Sequence, residues 1–386
     1  MTSNQTVADP YPHYADLRRR RPIHKTPQGR WIVSRHGLAV ALLADPRCVH
    51  WGRGGEGGGV ERSLGAALHA LAPGGPAPYR QAAGRSFVPG SGPADGALCL
   101  LAKLRDRPGF DLVNDFAHPL TCGGMCKTLG VPDSDHGEWS RRLARSGGSY
   151  LRLIGAGPGE AGEDEDAWLL EALRALVESK RRCPGDDLTS RLVEAARKAA
   201  PGAARAESDG FLLDLMLLLF YAGHQNMVNF LALAARTLIR HPGFARLVRL
   251  HPDRLPDAVL ELMRYDSPVQ YLPLVAREAL EVEGQQIEPG DEIMICVGAA
   301  NRDPEVFEEP ERLDLDRRPR QQLSFGWGPS RCLGAQLAIR RGASALGALL
   351  AATKSFSLTG EPLRWRSQPA VQRGLEALPL SVVWSA

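Results

Sequence analysis

A helix that is apolar on every side cannot lie on a protein surface, and residues 215–233 read as such a helix. It needs apolar partners all round, so the rest of the chain must supply several more helices. A bilayer is the competing environment. It is disfavoured because His224, Gln225, Asn226 and Asn229 sit mid-segment and no second such segment exists. Four polar side chains inside a buried helix need partners. Either they satisfy one another in a core network, or they face a groove that receives a cofactor or substrate, with the helix distorted at Gly223.

The 386-residue chain as a whole suits that picture. It is 44% hydrophobic and 24% charged, which excludes wholesale disorder and a small disulfide scaffold. A net charge of +3 asks for no nucleic acid, and the basic run Arg18–Arg21 reads as a solvated face. Helical periodicity is expected near 36–44, 97–107, 113–129, 133–150, 164–182, 187–199, 209–240, 243–250, 255–266 and 333–352. Short strands are expected at Trp31–Val33, 271–276, 280–288 (turning at Glu283-Gly284) and 292–296. Residues 51–96 read as a loose, Gly-rich stretch. No repeat and no composition shift appears. The expected fold is mainly α with small β-sheets (α+β), one domain over 1–386, with its β part roughly at 20–50 and 268–320. Residues 1–10 lack the features of a leader or anchor, so a cytoplasmic protein without membrane contact, and a monomer, is expected.

The seven cysteines form no CxxC pair and no zinc spacing. Six read as free thiols in a reducing compartment. Cys332 differs. It stands in Leu323-Ser324-Phe325-Gly326-Trp327-Gly328-Pro329-Ser330-Arg331-Cys332-Leu333-Gly334, just before a long helix. Gly326 and Gly328 permit a tight loop, the helix start favours a thiolate, and Gly334 leaves room for a flat group. Phe325 can shield the sulfur. The segment reads as a pocket for one thiolate on a soft metal.

Phe325-Gly326-x-Gly328-x-x-x-Cys332-x-Gly334 resembles the haem-binding loop (322–335 here) of the cytochrome P-450 superfamily, in its soluble bacterial form. Glu261-Leu262-Met263-Arg264 is similar to the family's Glu-x-x-Arg helix, and Pro310-Glu311-Arg312-Leu313 to the segment that gives that glutamate a second arginine. Asp9-Pro10-Tyr11-Pro12, Leu129-Gly130-Val131-Pro132 and 299–304 add to the likeness, which covers essentially the whole chain. It implies haem b (iron protoporphyrin IX) with Cys332 as metal ligand, O2 as co-substrate, and electrons from a ferredoxin and ferredoxin reductase. It implies a structural network of Glu261, Arg264 and Arg312. It places Ala222, Gly223, His224, Gln225 and Asn226 in the oxygen groove. Haem contacts would come from Arg80, Phe325, Gly326, Ser330, Arg331 and Gly334. Substrate would meet Val269, Gln270, Tyr271 and Leu272, the loops at 52–75 and 150–162, and the turn near 369–372.

The chain departs from the family where an acid and a threonine are usual, at Gln225 and Asn226. Neither amide titrates near neutral pH, so protons must come through water, substrate or His224, should His224 face the groove. Haem-carboxylate partners are also thinned: Ser330, Pro76 and Leu274 stand where His, His and Arg are usual. Arg277 and Arg331 are candidate substitutes, and Arg331, Arg340 and Arg341 a candidate docking surface for an acidic redox partner. The implied activity is oxidation of a natural product, by oxidative aromatic cross-linking, including of a peptide, or by hydroxylation. The alternative is a non-catalytic helper of a partner enzyme.

Overall fold

The computed structural model describes residues 8–50, 71, 77–87, 94–144, 163–199, 205–317, 319–328, 331–366 and 371–385. In chain order these hold α1 (Tyr11–Arg20), β1 (Ile23–Lys25), β2 (Trp31–Val33), α2 (His36–Ala44), β3 (Cys48–His50), α3 (Ala77–Ser86), α4 (Ala94–Leu104) and β4 (Gly109–Asp111). A π-helical turn, Leu112–Ala117, leads into α5 (His118–Leu129). There follow α6 (His136–Leu143), α7 (Glu163–Arg182), α8 (Leu188–Ala199), α9 (Arg205–Arg240), α10 (Pro242–Leu250) and α11 (Leu255–Tyr265). The rest is β5 (Tyr271–Ala276), β6 (Leu280–Val282), β7 (Gln285–Ile287), β8 (Glu292–Cys296), α12 (Val297–Ala300), α13 (Ala335–Ala352), β9 (Thr353–Leu358) and β10 (Pro379–Trp384).

The all-round apolar segment is the middle of α9, which packs against α5, α7, α8, α10, α11 and α13. Its first half, Leu212 to Tyr221, belongs to one apolar core with α5–α8. Its second half, Met227 to Leu238, belongs to another with α4, α11 and α13. The polar residues 224–226 fall between the two. A distortion at Gly223 was expected; the helix runs unbroken from Arg205 to Arg240.

A five-stranded sheet in the order β1-β2-β8-β5-β3 covers a third core with α2. Only β2 and β8 run parallel. The expected strand at 280–288 is the hairpin β6–β7; Glu283 and Gly284 both take positive φ, as a two-residue turn between twisted strands requires. Three strands lie outside the expected β regions: β4, β9 and β10 form a sheet in the order β4-β10-β9. Helix α3 likewise forms inside the stretch read as loose. Its small and basic residues carry little helical periodicity, and it is held by packing on α8.

Candidate active site: a thiol loop and an amide-bearing helix

Cys332 lies three residues before the last long helix begins. Its backbone N–H donates to the Phe325 carbonyl at 2.8 Å, and Arg331 N–H to the Gly328 carbonyl at 3.2 Å. Gly326 (φ 70°) and Gly328 (φ 59°) take the left-handed turns that make this return possible. Gly334 N–H donates to the Cys332 sulfur; a Cβ on Gly334 would sit 3.9 Å from that sulfur. The residue keeps open surface although protein crowds round the thiol. Desolvation pushes its pKa up, opposed by the Gly334 N–H and the Arg331 charge. Such a thiol stays protonated until a cation takes the proton's place. One soft donor, one backbone N–H on it and bare glycine beside it fit a thiolate-held haem. Ser330 lies outside the described residues.

The loop is tied down by a buried network. Arg264 donates to both Glu261 oxygens at 2.8 and 2.9 Å, and neither side chain is exposed. Glu261 Oε1 also accepts from Asp314 N–H at 3.0 Å and from Arg317 Nε at 3.2 Å. The second arginine is therefore Arg317, not the expected Arg312. The Arg312 guanidinium is exposed and pairs with Glu309 and Asp314, and this residue serves the network only through its carbonyl. The segment turns back between the two positions, so the later arginine, largely buried, reaches Glu261. Asn301 was not singled out as a site residue, though it lies in one of the likeness motifs. Its carbonyl accepts from Arg264, its Oδ1 from Leu323 N–H at 2.6 Å, and its Nδ2 donates to Ser324 Oγ at 2.8 Å. Ser324 Oγ donates onward to the Met263 carbonyl. The loop is thereby anchored to α11.

On α9, successive residues turn by about 100°. Ala222, Gln225 and Asn226 thus share one half-buried face. Gln225 Nε2 donates to buried Asn229 at 3.1 Å, and Asn226 Nδ2 to the Ala222 carbonyl at 3.2 Å. Gly223 and His224 do not share that face. A Cβ on Gly223 would lie 2.5 Å from Met125 Sδ on α5. His224 is 2% exposed and meets Thr121 Oγ1 at 2.8 Å and His118 Nδ1 at 3.1 Å, also on α5. Expected in the groove, both instead seal the helix interface behind it. Arg366 closes this network on His118 Nε2 at 3.3 Å. Burial, His118 and Arg366 hold the His224 pKa well below 6.5; burial and Arg366 lower that of His118 to about 4. The imidazoles are neutral packing elements, away from Gln225 and Asn226.

The other expected positions scatter. Arg80 is half-buried and donates to the Leu71 carbonyl at 2.7 Å. Arg277 and Arg331 are exposed, and Leu274 is buried in the sheet core. Arg341 leaves the expected docking surface: it turns inward to the Gly124 carbonyl and Thr128 Oγ1, and desolvation lowers its pKa to about 10. Of the four expected substrate contacts, Val269 and Leu272 are half-buried. Tyr271 stacks edge-on against Tyr14, and Gln270 is buried with its Nε2 on the Ser267 carbonyl, so both face away into the core beside α1. The loops 52–75 (save Leu71) and 150–162, and Pro76, Pro369 and Ala370, lie outside the described residues.

Comparisons agree with this geometry. The cytochrome P-450 family model matches residues 254–362, the stretch holding Glu261, Arg317 and Cys332. The cytochrome P-450 monooxygenase PikC of Streptomyces venezuelae is 32% identical, covering 97% of this chain and 91% of that protein. The crystal structure of CalO2 superposes with a TM-score of 0.84 at 26% identity, covering 99% and 98% of the two chains. That of CxnD, a cytochrome P-450 described as forming a C–S bond in chuangxinmycin biosynthesis, gives 0.80 at 26% identity over 98% and 96%. The chain belongs to the cytochrome P-450 family, as a monooxygenase-type enzyme with the haem-thiolate and dioxygen chemistry that membership carries.

Proposed function

We propose that this chain oxidises a natural product, with Cys332 holding the iron of haem b and electrons arriving from a separate ferredoxin and its reductase. The observation that supports the reading is a crowded Cys332 thiol just before α13 in a chain whose α9 carries amides at residues 225 and 226. When bound, the haem supplies activation of O2, with the thiolate favouring O–O cleavage. Gln225 and Asn226 hold hydrogen bonds in the groove and can position a water, but neither gives up a proton near neutral pH. His224 is turned away and neutral, so protons reach the groove through water or substrate.

A helix face with amides instead of an acid and an alcohol at residues 225 and 226 suits aromatic coupling, in which the substrate loses two hydrogens and both oxygen atoms leave as water. Hydroxylation consumes the same dioxygen and two electrons but leaves one oxygen in the product. Coupling of aromatic groups, on a peptide or other natural product, is the reading preferred. The bond-forming activity described for CxnD supports that preference. The enzyme is proposed to act as a cytoplasmic monomer.

The test is the spectrum of dithionite-reduced protein with carbon monoxide, beside Cys332→Ala. A strongly red-shifted Soret band that the substitution abolishes is expected; a band unaffected by it overturns the ligand assignment. Product mass then separates the reactions: two hydrogens lighter for coupling, one oxygen heavier for hydroxylation.

A further inference from the structure

Gln372 sits in a short segment pinned on both sides. Gln270 N–H donates to the Val371 carbonyl at 2.8 Å, Arg373 N–H to the Pro268 carbonyl at 2.8 Å, and Val269 and Gln372 form an antiparallel bridge. Arg373 Nε also donates to buried Asp266 at 2.8 Å. From this fixed backbone, Gln372 Nε2 reaches across to Asn226 Oδ1 at 2.8 Å.

That bond holds the Asn226 amide in the orientation that the Ala222 carbonyl selects. The Ala222 carbonyl can only accept, so Asn226 must turn Nδ2 toward it; Oδ1 then needs a donor, and Gln372 supplies one. One N–H of Asn226 is left without a protein partner among the described residues. We infer that Gln372 is a positioning residue for the oxygen groove: it locks Asn226 so that this side chain offers the groove an N–H donor while its oxygen stays occupied. An untethered amide could present either end, and a hydroxyl in that place could donate and accept at once. The inference rests on the function proposed above, since it assumes a haem opposite α9.

The infrared C–O stretch of carbon monoxide on the reduced protein reads the donor directly, without turnover. Asn226→Leu should move the band to higher frequency. Gln372→Leu should broaden or split it, because the amide, held then by the Ala222 carbonyl alone, leaves that contact part of the time. Gln372→Glu, of nearly the same size, should move it toward the Asn226→Leu position, because a carboxylate draws the Asn226 N–H to itself. In the double variant Asn226→Leu/Gln372→Leu the band should match Asn226→Leu alone. A Gln372→Leu or Gln372→Glu band identical to wild type, with Asn226→Leu shifted, overturns the inference and leaves the proposed function intact. So does a Gln372→Leu shift that persists in the Asn226→Leu background, since Gln372 would then act directly. A protein with no thiolate-type Soret band overturns the proposed function, and the inference with it.

Discussion

Residues with similar motif positions carry unequal loads. Arg317 supports buried Glu261, whereas the Arg312 side chain lies in water. Arg317→Ala leaves part of a buried carboxylate uncompensated and should cost about 3 kcal/mol in chemical denaturation. Arg312→Ala should stay within about 0.5 kcal/mol; comparable losses would mean that the network is assigned wrongly. His118 offers a pH test. Its folded pKa, about 4, lies below the ordinary 6.5 through burial and Arg366, with Asp111 opposing and His224 against its Nδ1. The unfolded chain therefore takes up a proton that the folded chain refuses. The contribution is fully present above about pH 6.5 and is lost as pH falls toward 4, about 3 kcal/mol at most. Denaturation midpoints of His118→Gln should show a flatter slope across that window than wild type; parallel slopes would refute the assignment. The Glu261–Arg264 pair was legible because it belongs to a dense local pattern. The roles of Arg317, Gln372 and the back-facing His224 were not, because they depend on which chain segment returns to which helix face.

At the scale of elements, long periodic helices and the inner strands β2, β5 and β8 could be read from sequence, since apolar period alone fixes them. The sheet of β4, β9 and β10 could not. Its strands are joined across long separations, and its edge strand β4 is three residues long and begins with a glycine. That glycine is required: a Cβ on Gly109 would lie 2.3 Å from the Leu380 carbonyl oxygen, a backbone atom held in the ladder. Gly109→Ala should therefore unseat β4 from β10. The expected result is a loss of about 1–3 kcal/mol, as for other overpacked sites. Faster hydrogen exchange should appear at the partnered amides of β10; unchanged exchange would show that the strand yields at no cost. Helix α3 was missed for a related reason: its formation rests on α8, not on its own pattern.

Across the whole molecule, Asp266 joins three distant parts of the chain. It accepts from Tyr11 Oη of α1 at 2.7 Å and from Arg373 of the C-terminal segment at 2.8 Å, with Arg236 of α9 at 3.7 Å. Arg373 also donates to the Ala8 carbonyl. Asp266→Asn strands two buried cations and should cost about 3–5 kcal/mol. Limited proteolysis should then cut near α1 earlier than in wild type; an unchanged digestion pattern would separate α1 from this hub. The turn of α9 at residues 222–226 has a different consequence, for how such an enzyme can diversify. Positions that hold the fold (223 and 224) and positions proposed to face the chemistry (225 and 226) are neighbours in the gene but lie on different sides of one cylinder. Codon changes at the second pair can sample new reactivity while the first pair keeps the helix seated on α5. Innovation at this site is therefore cheap in stability, and a chain can shed its acid and alcohol without losing its architecture.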